Sequence, residues 1–167
     1  MRMAWMKNLL ALVSVSVLSA VALGCQARGV GDPCVPETIP QEGFANEVFV
    51  ETSSVQCRTR TCLNYRLPGD PRRIVGEASC PPGTLGCVNA EARDTQIFCS
   101  CRCSAGTGDS SLPLCTCPEA FHCVNLVTQG GDAVRGGYCI PLEFCEATSD
   151  CPTGNRCVAN RCVSTGT

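Results

Sequence analysis

Histidine, tryptophan and lysine occur once each in this 167-residue chain, as His122, Trp5 and Lys7, and only five phenylalanines and two tyrosines accompany them. A single histidine leaves one candidate base for a histidine dyad or triad. His122 stands between Phe121 and Cys123, where cross-links would restrict its reach to a distant serine, so a structural histidine is expected. No glycine-rich phosphate loop, HExxH or nucleotide signature occurs. Nothing in the spacing of the fifteen acidic residues selects a carboxylate pair. No catalytic residue is assigned and no enzyme activity is expected. A formal net charge of -2 gives no basic excess, which argues against nucleic acid as a partner. Cys-x-x-Cys is also missing, and with it the usual ligand spacing of zinc ribbons and the motif of thiol oxidoreductases. No cofactor or metal is expected, although Cys-x-Cys runs could bridge soft ions and a metal-thiolate protein remains a second alternative.

Cysteine is abundant: there are seventeen. With so few aromatics, apolar burial alone would not offset chain entropy, and cross-links worth typically 2 to 4 kcal/mol each are expected to replace a larger core. The first 24 residues explain why the cysteines meet an oxidising space. Arg2 and Lys7 precede an apolar run from Leu9 to Leu23, about fifteen residues, the length of a signal sequence and short for a membrane span. The run ends Val21-Ala22-Leu23-Gly24-Cys25, which resembles the lipobox of bacterial lipoproteins, with Ala22 where leucine is commonest. That resemblance implies that Cys25 carries a lipid and becomes the first mature residue. Gln26, rather than aspartate, follows it, which by the same resemblance implies the outer membrane. Parity agrees independently, because removing Cys25 leaves sixteen cysteines, enough for eight disulfides. Removing residues 1–24 also takes away Lys7 and Trp5, and leaves eleven arginines against fifteen acids.

The disulfide candidates are Cys34, Cys57, Cys62, Cys80, Cys87, Cys99, Cys101, Cys103, Cys115, Cys117, Cys123, Cys139, Cys145, Cys151, Cys157 and Cys162. Their pairing is open at this stage. The densest stretch is Phe98 to Cys123. In an extended strand Cys99, Cys101 and Cys103 would share one face, as would Cys115 and Cys117, so two short strands joined by the Ser104 to Leu114 loop are expected. A protease inhibitor presenting Leu112-Pro113-Leu114 on that loop is the first alternative function.

Residues 26–33 read as a polar tether. Strands are expected over Glu47 to Thr52 and over Val55 to Leu63. The second would place Arg58 and Arg60 on one face, with Cys57, Thr59 and Thr61 on the other. Cys57 and Cys62, five apart, should then bond different partners. Leu67-Pro68-Gly69-Asp70 predicts a turn with glycine at positive φ. Arg58, Arg60, Arg66, Arg72 and Arg73 form a basic cluster that could hold an anion, against the plainer reading of a solvated face neutralised by Glu37, Glu42, Glu47 and Glu51. Three Cys-Pro openings, at Cys80, Cys117 and Cys151, suggest a recurring knuckle in which a turn follows the proline. Val88 to Ile97 is the candidate helix.

The tail, Cys-x5-Cys-Pro-x-Gly-x-x-Cys-x4-Cys, resembles the cysteine knuckles of granulins and Dickkopf-type domains over about 24 residues, which suggests a separate knot after Pro141. The lipobox, FCSCRC, CTCPEAFHC and the tail together resemble cysteine-rich lipoproteins of the myxobacterial type. That resemblance implies location and architecture and no activity. The expectation is a small disulfide-rich, mainly β protein with extensive loops behind an N-terminal signal helix. Its parts are a leader (1–24), a lipidated N-terminus and tether (25–33), a cysteine-rich β domain (34–140) and a C-terminal knuckle with tail (141–167). Its expected role is a non-catalytic binding or structural module of the cell envelope, attached to the membrane by its lipid, with envelope polysaccharide or another surface protein as partner.

Overall fold

The computed structural model describes residues 28–106 and 113–165. The expected signal helix, Cys25 and the centre of the Ser104 to Leu114 loop lie outside the described residues. Among the described residues ten strands and one short α-helix follow in order, with a 3-10 turn (Thr148–Asp150) before the ninth strand: β1 (Val48–Glu51), β2 (Thr61–Tyr65), β3 (Asp70–Ile74), β4 (Cys87–Val88), α1 (Ala90–Gln96), β5 (Ile97–Ser100), β6 (Arg102–Ala105), β7 (Phe121–Val127), β8 (Gly136–Pro141), β9 (Asn155–Val158) and β10 (Arg161–Ser164). The fold is mainly β, and no helix among the described residues is long and apolar enough to cross a membrane.

The central layer is the antiparallel sheet β1-β2-β5. Every residue of β2 and β5 is buried, so both faces of this sheet are covered. The two faces differ in chemistry because side chains alternate. Cys62 of β2 with Ile97 and Cys99 of β5 point into a sulfur-rich cluster with Cys34, Cys57, Leu67 and Val88. Leu63 and Tyr65 of β2 with Phe98 of β5 point into an aromatic cluster with Val124, Tyr138, Ile140 and Phe144. The sheet β6-β8-β7 supplies Val124, Tyr138 and Ile140 to this second cluster, so most of the scarce aromatics lie between the two sheets.

The chain passes from one sheet to the other at Cys101, and there the expected continuous strand Cys99 to Cys103 is corrected. β5 ends at Ser100 and β6 begins at Arg102. Ser100 Oγ donates to the Cys139 carbonyl at 2.7 Å, and the Cys139 N–H donates to the Cys101 carbonyl at 3.0 Å, so β8 is stitched to the point where the chain changes sheets. Cys115 and Cys117 lie in irregular chain, not in the expected strand; the strand that follows them is β7. The expected strand over Val55 to Leu63 is also shortened. β2 begins at Thr61, because Arg60 turns the chain at φ 64° and its N–H bonds the Cys57 carbonyl at 2.9 Å. β1 falls inside its expected span, and α1 inside Val88 to Ile97, capped by Asn89, whose side chain accepts from Glu91 N at 2.8 Å.

The corner after β2 depends on Asn64, which is fully buried. Its amide donates to the Leu67 carbonyl at 3.2 Å and accepts the Leu67 N–H at 3.0 Å. Gly69 follows at φ 102°, as its turn predicts. Here backbone meets backbone: a Cβ on Gly43 would lie 2.4 Å from the Gly69 carbonyl carbon, so Gly43 admits no side chain.

The three Cys-Pro openings share one turn. Thr84 N bonds Pro81 O at 3.1 Å, Phe121 N bonds Pro118 O at 3.1 Å, and Asn155 N bonds Pro152 O at 3.0 Å. The third residue of each turn has positive φ: Gly83 at 87°, Ala120 at 68° and Gly154 at 86°. The turns recur, but the bridges do not. Cys80 bonds Cys87, seven residues on, whereas Cys117 bonds Cys139 and Cys151 bonds Cys162.

Candidate functional site

Eight disulfides join all sixteen cysteines from Cys34 to Cys162: 34–62, 57–99, 80–87, 101–115, 103–123, 117–139, 145–157 and 151–162. Cys57 and Cys62 do bond different partners. Three pairs of cysteines face each other directly across strands, Cys62 with Cys99, Cys123 with Cys139 and Cys157 with Cys162, yet none bonds its neighbour. Each of these sulfurs instead bonds a cysteine outside its facing pair. The sulfurs of adjacent bridges pack closely, with Cys139 Sγ 3.6 Å from Cys101 Sγ and 3.7 Å from Cys115 Sγ. As disulfide sulfurs they carry no thiolate charge for a metal ion.

Beside this sulfur cluster lies a cleft of about 320 Å³, lined by Thr52, Thr59, Thr61, Arg102, Ala133, Tyr138, Pro113, Leu114 and the Cys101–Cys115 bridge. Its floor is fixed. Tyr138 is buried and donates its hydroxyl to the Val134 carbonyl at 2.6 Å, and burial raises the phenol above its ordinary range. Arg102 is mostly buried, and its carbonyl accepts the Cys115 N–H at 2.9 Å. Leu114 is half exposed at the rim. The base of the Ser104 to Leu114 loop is thereby closed by the bridges 101–115 and 103–123; residues 107–112, with Leu112, lie outside the described residues. Thr59 Oγ1 donates to the Ser100 carbonyl and Thr61 Oγ1 to the Thr59 carbonyl, so the cleft presents mainly apolar surface.

His122 is half-buried on β7, and its Nε2 donates to the Phe144 carbonyl at 2.9 Å. The ring therefore works as a structural tie. It sits beside the tail, whose own bridges, 145–157 and 151–162, close within it. Phe144 packs on Tyr65 with ring centroids 4.8 Å apart, and Arg161 lies over the same ring. The Tyr65 hydroxyl stands 2.9 Å from the Cys145 carbonyl and 3.0 Å from Glu146 Oε1. Burial first, then the Glu146 charge, pushes this phenol well above the usual tyrosine range.

The five arginines of the basic cluster are not one surface. Arg66 grips Glu146 through Nη2 at 2.6 Å, and the hydrogen bond to that carboxylate raises its pKa. Arg72 grips Asp70 at 2.9 Å, and this hydrogen bond holds the Asp70 carboxyl below its ordinary value. The expected neutralisers are thus replaced. Glu51 instead accepts the Glu37 N–H, and Glu47 accepts that of Ala45. Arg73 is half-buried, whereas Arg58 and Arg60 are exposed on the loop before β2.

The tether expected over residues 26–33 is also corrected, because the chain is bound to the body from Arg28 onward. Arg28 pairs with Cys57 in a parallel bridge, Gly31 N bonds Cys99 O at 2.8 Å, and Cys99 N bonds Asp32 O at 2.8 Å. Sequence reasoning missed the cleft threonines, Arg102 and Tyr138, since they come from four separated segments and no local pattern joins them. No family model, curated protein or solved structure matches the chain.

Proposed function

We propose that the protein is a lipid-anchored component of the bacterial envelope, held at the outer membrane through Cys25, that acts by binding and not by catalysis. The distribution of sulfur carries this reading. Sixteen cysteines are bonded among themselves, so none is left to pair with Cys25. An odd thiol in an exported chain invites intermolecular pairing, and a thioether to diacylglycerol removes it. The disulfides themselves support an oxidising compartment. The cleft beside the Cys101–Cys115 bridge is the surface assigned to binding, with envelope polysaccharide as the partner class. Metabolic labelling with a radioactive fatty acid tests the anchor: the wild type should take up label and Cys25→Ala should not. Label persisting in Cys25→Ala would overturn the assignment.

A second reading is favoured by the closed base of the Ser104 to Leu114 loop. A loop clamped by the 101–115 bridge and the Arg102–Cys115 hydrogen bond would lose little entropy on entering a protease, as an inhibitor requires. Slowing of a protease panel at near-stoichiometric dose, lost when the loop is cut, would support it. Unchanged protease rates would exclude it.

A further inference from the structure

We propose that the loop of residues 53–60, together with Arg28, is the face on which the body rests against the anionic phospholipid headgroups of the bilayer holding the lipid. The inference rests on the Cys25 anchor proposed above. Its first support is chain length. Arg28 lies three positions after Cys25, a reach of at most about 10 Å even when fully extended. Arg28 already belongs to the body: its N–H donates to Gln56 O at 3.0 Å, and its carbonyl accepts from Arg58 N at 2.8 Å. A lipid on Cys25 therefore brings the 53–60 loop to within a headgroup layer of the bilayer.

The second support is the chemistry of that loop. Arg28, Arg58 and Arg60 are exposed, and Val55 among them is 66% exposed. Unlike Arg66 and Arg72, neither Arg58 nor Arg60 makes an ion pair among the described residues. Among the described residues, the Arg60 guanidinium donates to the Ser53 carbonyl at 3.2 Å and that of Arg28 to the Pro33 carbonyl. Asp32, four residues on from Arg28, accepts the Gly29 N–H, and Glu51, two residues before Ser53, is buried and accepts the Glu37 N–H. Guanidinium groups on flexible stems reach lipid phosphates while an aliphatic side chain between them enters the interface.

The third support is rigidity. Cys57 is buried and bridged to Cys99, and the Gln56 side chain bonds both backbone groups of Val35, at 3.2 and 2.6 Å. The Ser54 N–H closes the loop on the Arg60 carbonyl at 3.0 Å. A preformed pad gives up little entropy on docking. The C-terminal tail meets β2 at Tyr65, the end opposite Thr61, about 13 Å along the strand. It is thus held away from the lipid.

The test uses the mature protein extracted from membranes, with the acyl mass on its N-terminal peptide checked first. Because Trp5 belongs to the leader, Val55→Trp gives the mature chain a single tryptophan, and Val158→Trp does the same on the tail. Each is reconstituted into vesicles of phosphatidylethanolamine and phosphatidylglycerol whose acyl chains are brominated. The expected result is quenching of Val55→Trp emission with none for Val158→Trp, and loss of most of that quenching in Val55→Trp carrying Arg58→Glu and Arg60→Glu. An acylated Val55→Trp protein that is not quenched, or equal quenching of both tryptophans, would overturn the membrane seat and leave the anchor standing. An N-terminal peptide without acyl mass would overturn both.

Discussion

Ala120 occupies a position whose two counterparts carry glycine. Its φ of 68° puts a Cβ in the left-handed region, which costs an L-residue about 1–2 kcal/mol, partly returned by the smaller entropy it loses on folding. Ala120→Gly should therefore stabilise the protein by about 0.5–1 kcal/mol, read as a higher midpoint in guanidinium titration with disulfides intact. Gly83→Ala and Gly154→Ala should move it down. Two other residues give opposite pH signatures. Tyr65 has its pKa raised by burial and by Glu146, so its contribution is complete below the unfolded value, about 10, and is lost as pH climbs from there toward the folded value. The tail should loosen in that alkaline window, and Tyr65→Phe should flatten the alkaline limb of stability against pH. Asp70 has its pKa lowered by Arg72, so its contribution is present above the unfolded value, about 3.9, and is lost as pH falls through the folded one. Asp70→Asn should make the acid limb shallower.

Elements show why some of the fold was legible and some was not. β1 and α1 follow from local cues, a β-branched aromatic run and an asparagine cap, and the Pro68-Gly69 turn follows from its residue types. The change of sheet at Cys101 carries no such cue. FCSCRC alternates perfectly as one strand, and only β8, more than thirty residues later, supplies the bonds that split it. The hairpin joining β9 and β10 turns through Ala159 and Asn160, both at positive φ, a pair without the Asn-Gly signature. The pairing of cysteines was beyond reach because three facing pairs bond elsewhere. The bridges should also differ in weight. On the loop-closure model, removing 57–99, which spans 42 residues, should destabilise by about 4 kcal/mol, against about 2 kcal/mol for 80–87, which spans seven. Thermal unfolding of the paired Cys→Ala variants checks this order. Cys80→Ala with Cys87→Ala should leave the rest of the fold intact, since that bridge closes only its own loop.

At the scale of the whole molecule, two small cores lie on either side of one buried sheet, and sulfur occupies what a larger apolar interior would otherwise fill. The cleft was not legible in the sequence because its residues come from separated segments that the β2–β5 and β6–β8 ladders and the Cys101–Cys115 bridge bring together. The basic cluster was legible as a composition but not as a site: Arg66 holds Glu146 across the fold, Arg72 holds its near neighbour Asp70, and Arg58 and Arg60 lie on the loop that bonds Arg28. The anchored, stapled architecture is tested most directly by intact mass of the membrane-extracted mature protein after alkylation, with and without prior reduction. It predicts a chain beginning at Cys25 and bearing acyl mass, with no alkyl groups before reduction and sixteen after. A chain that keeps its leader, or one that takes up alkyl groups without reduction, would contradict it.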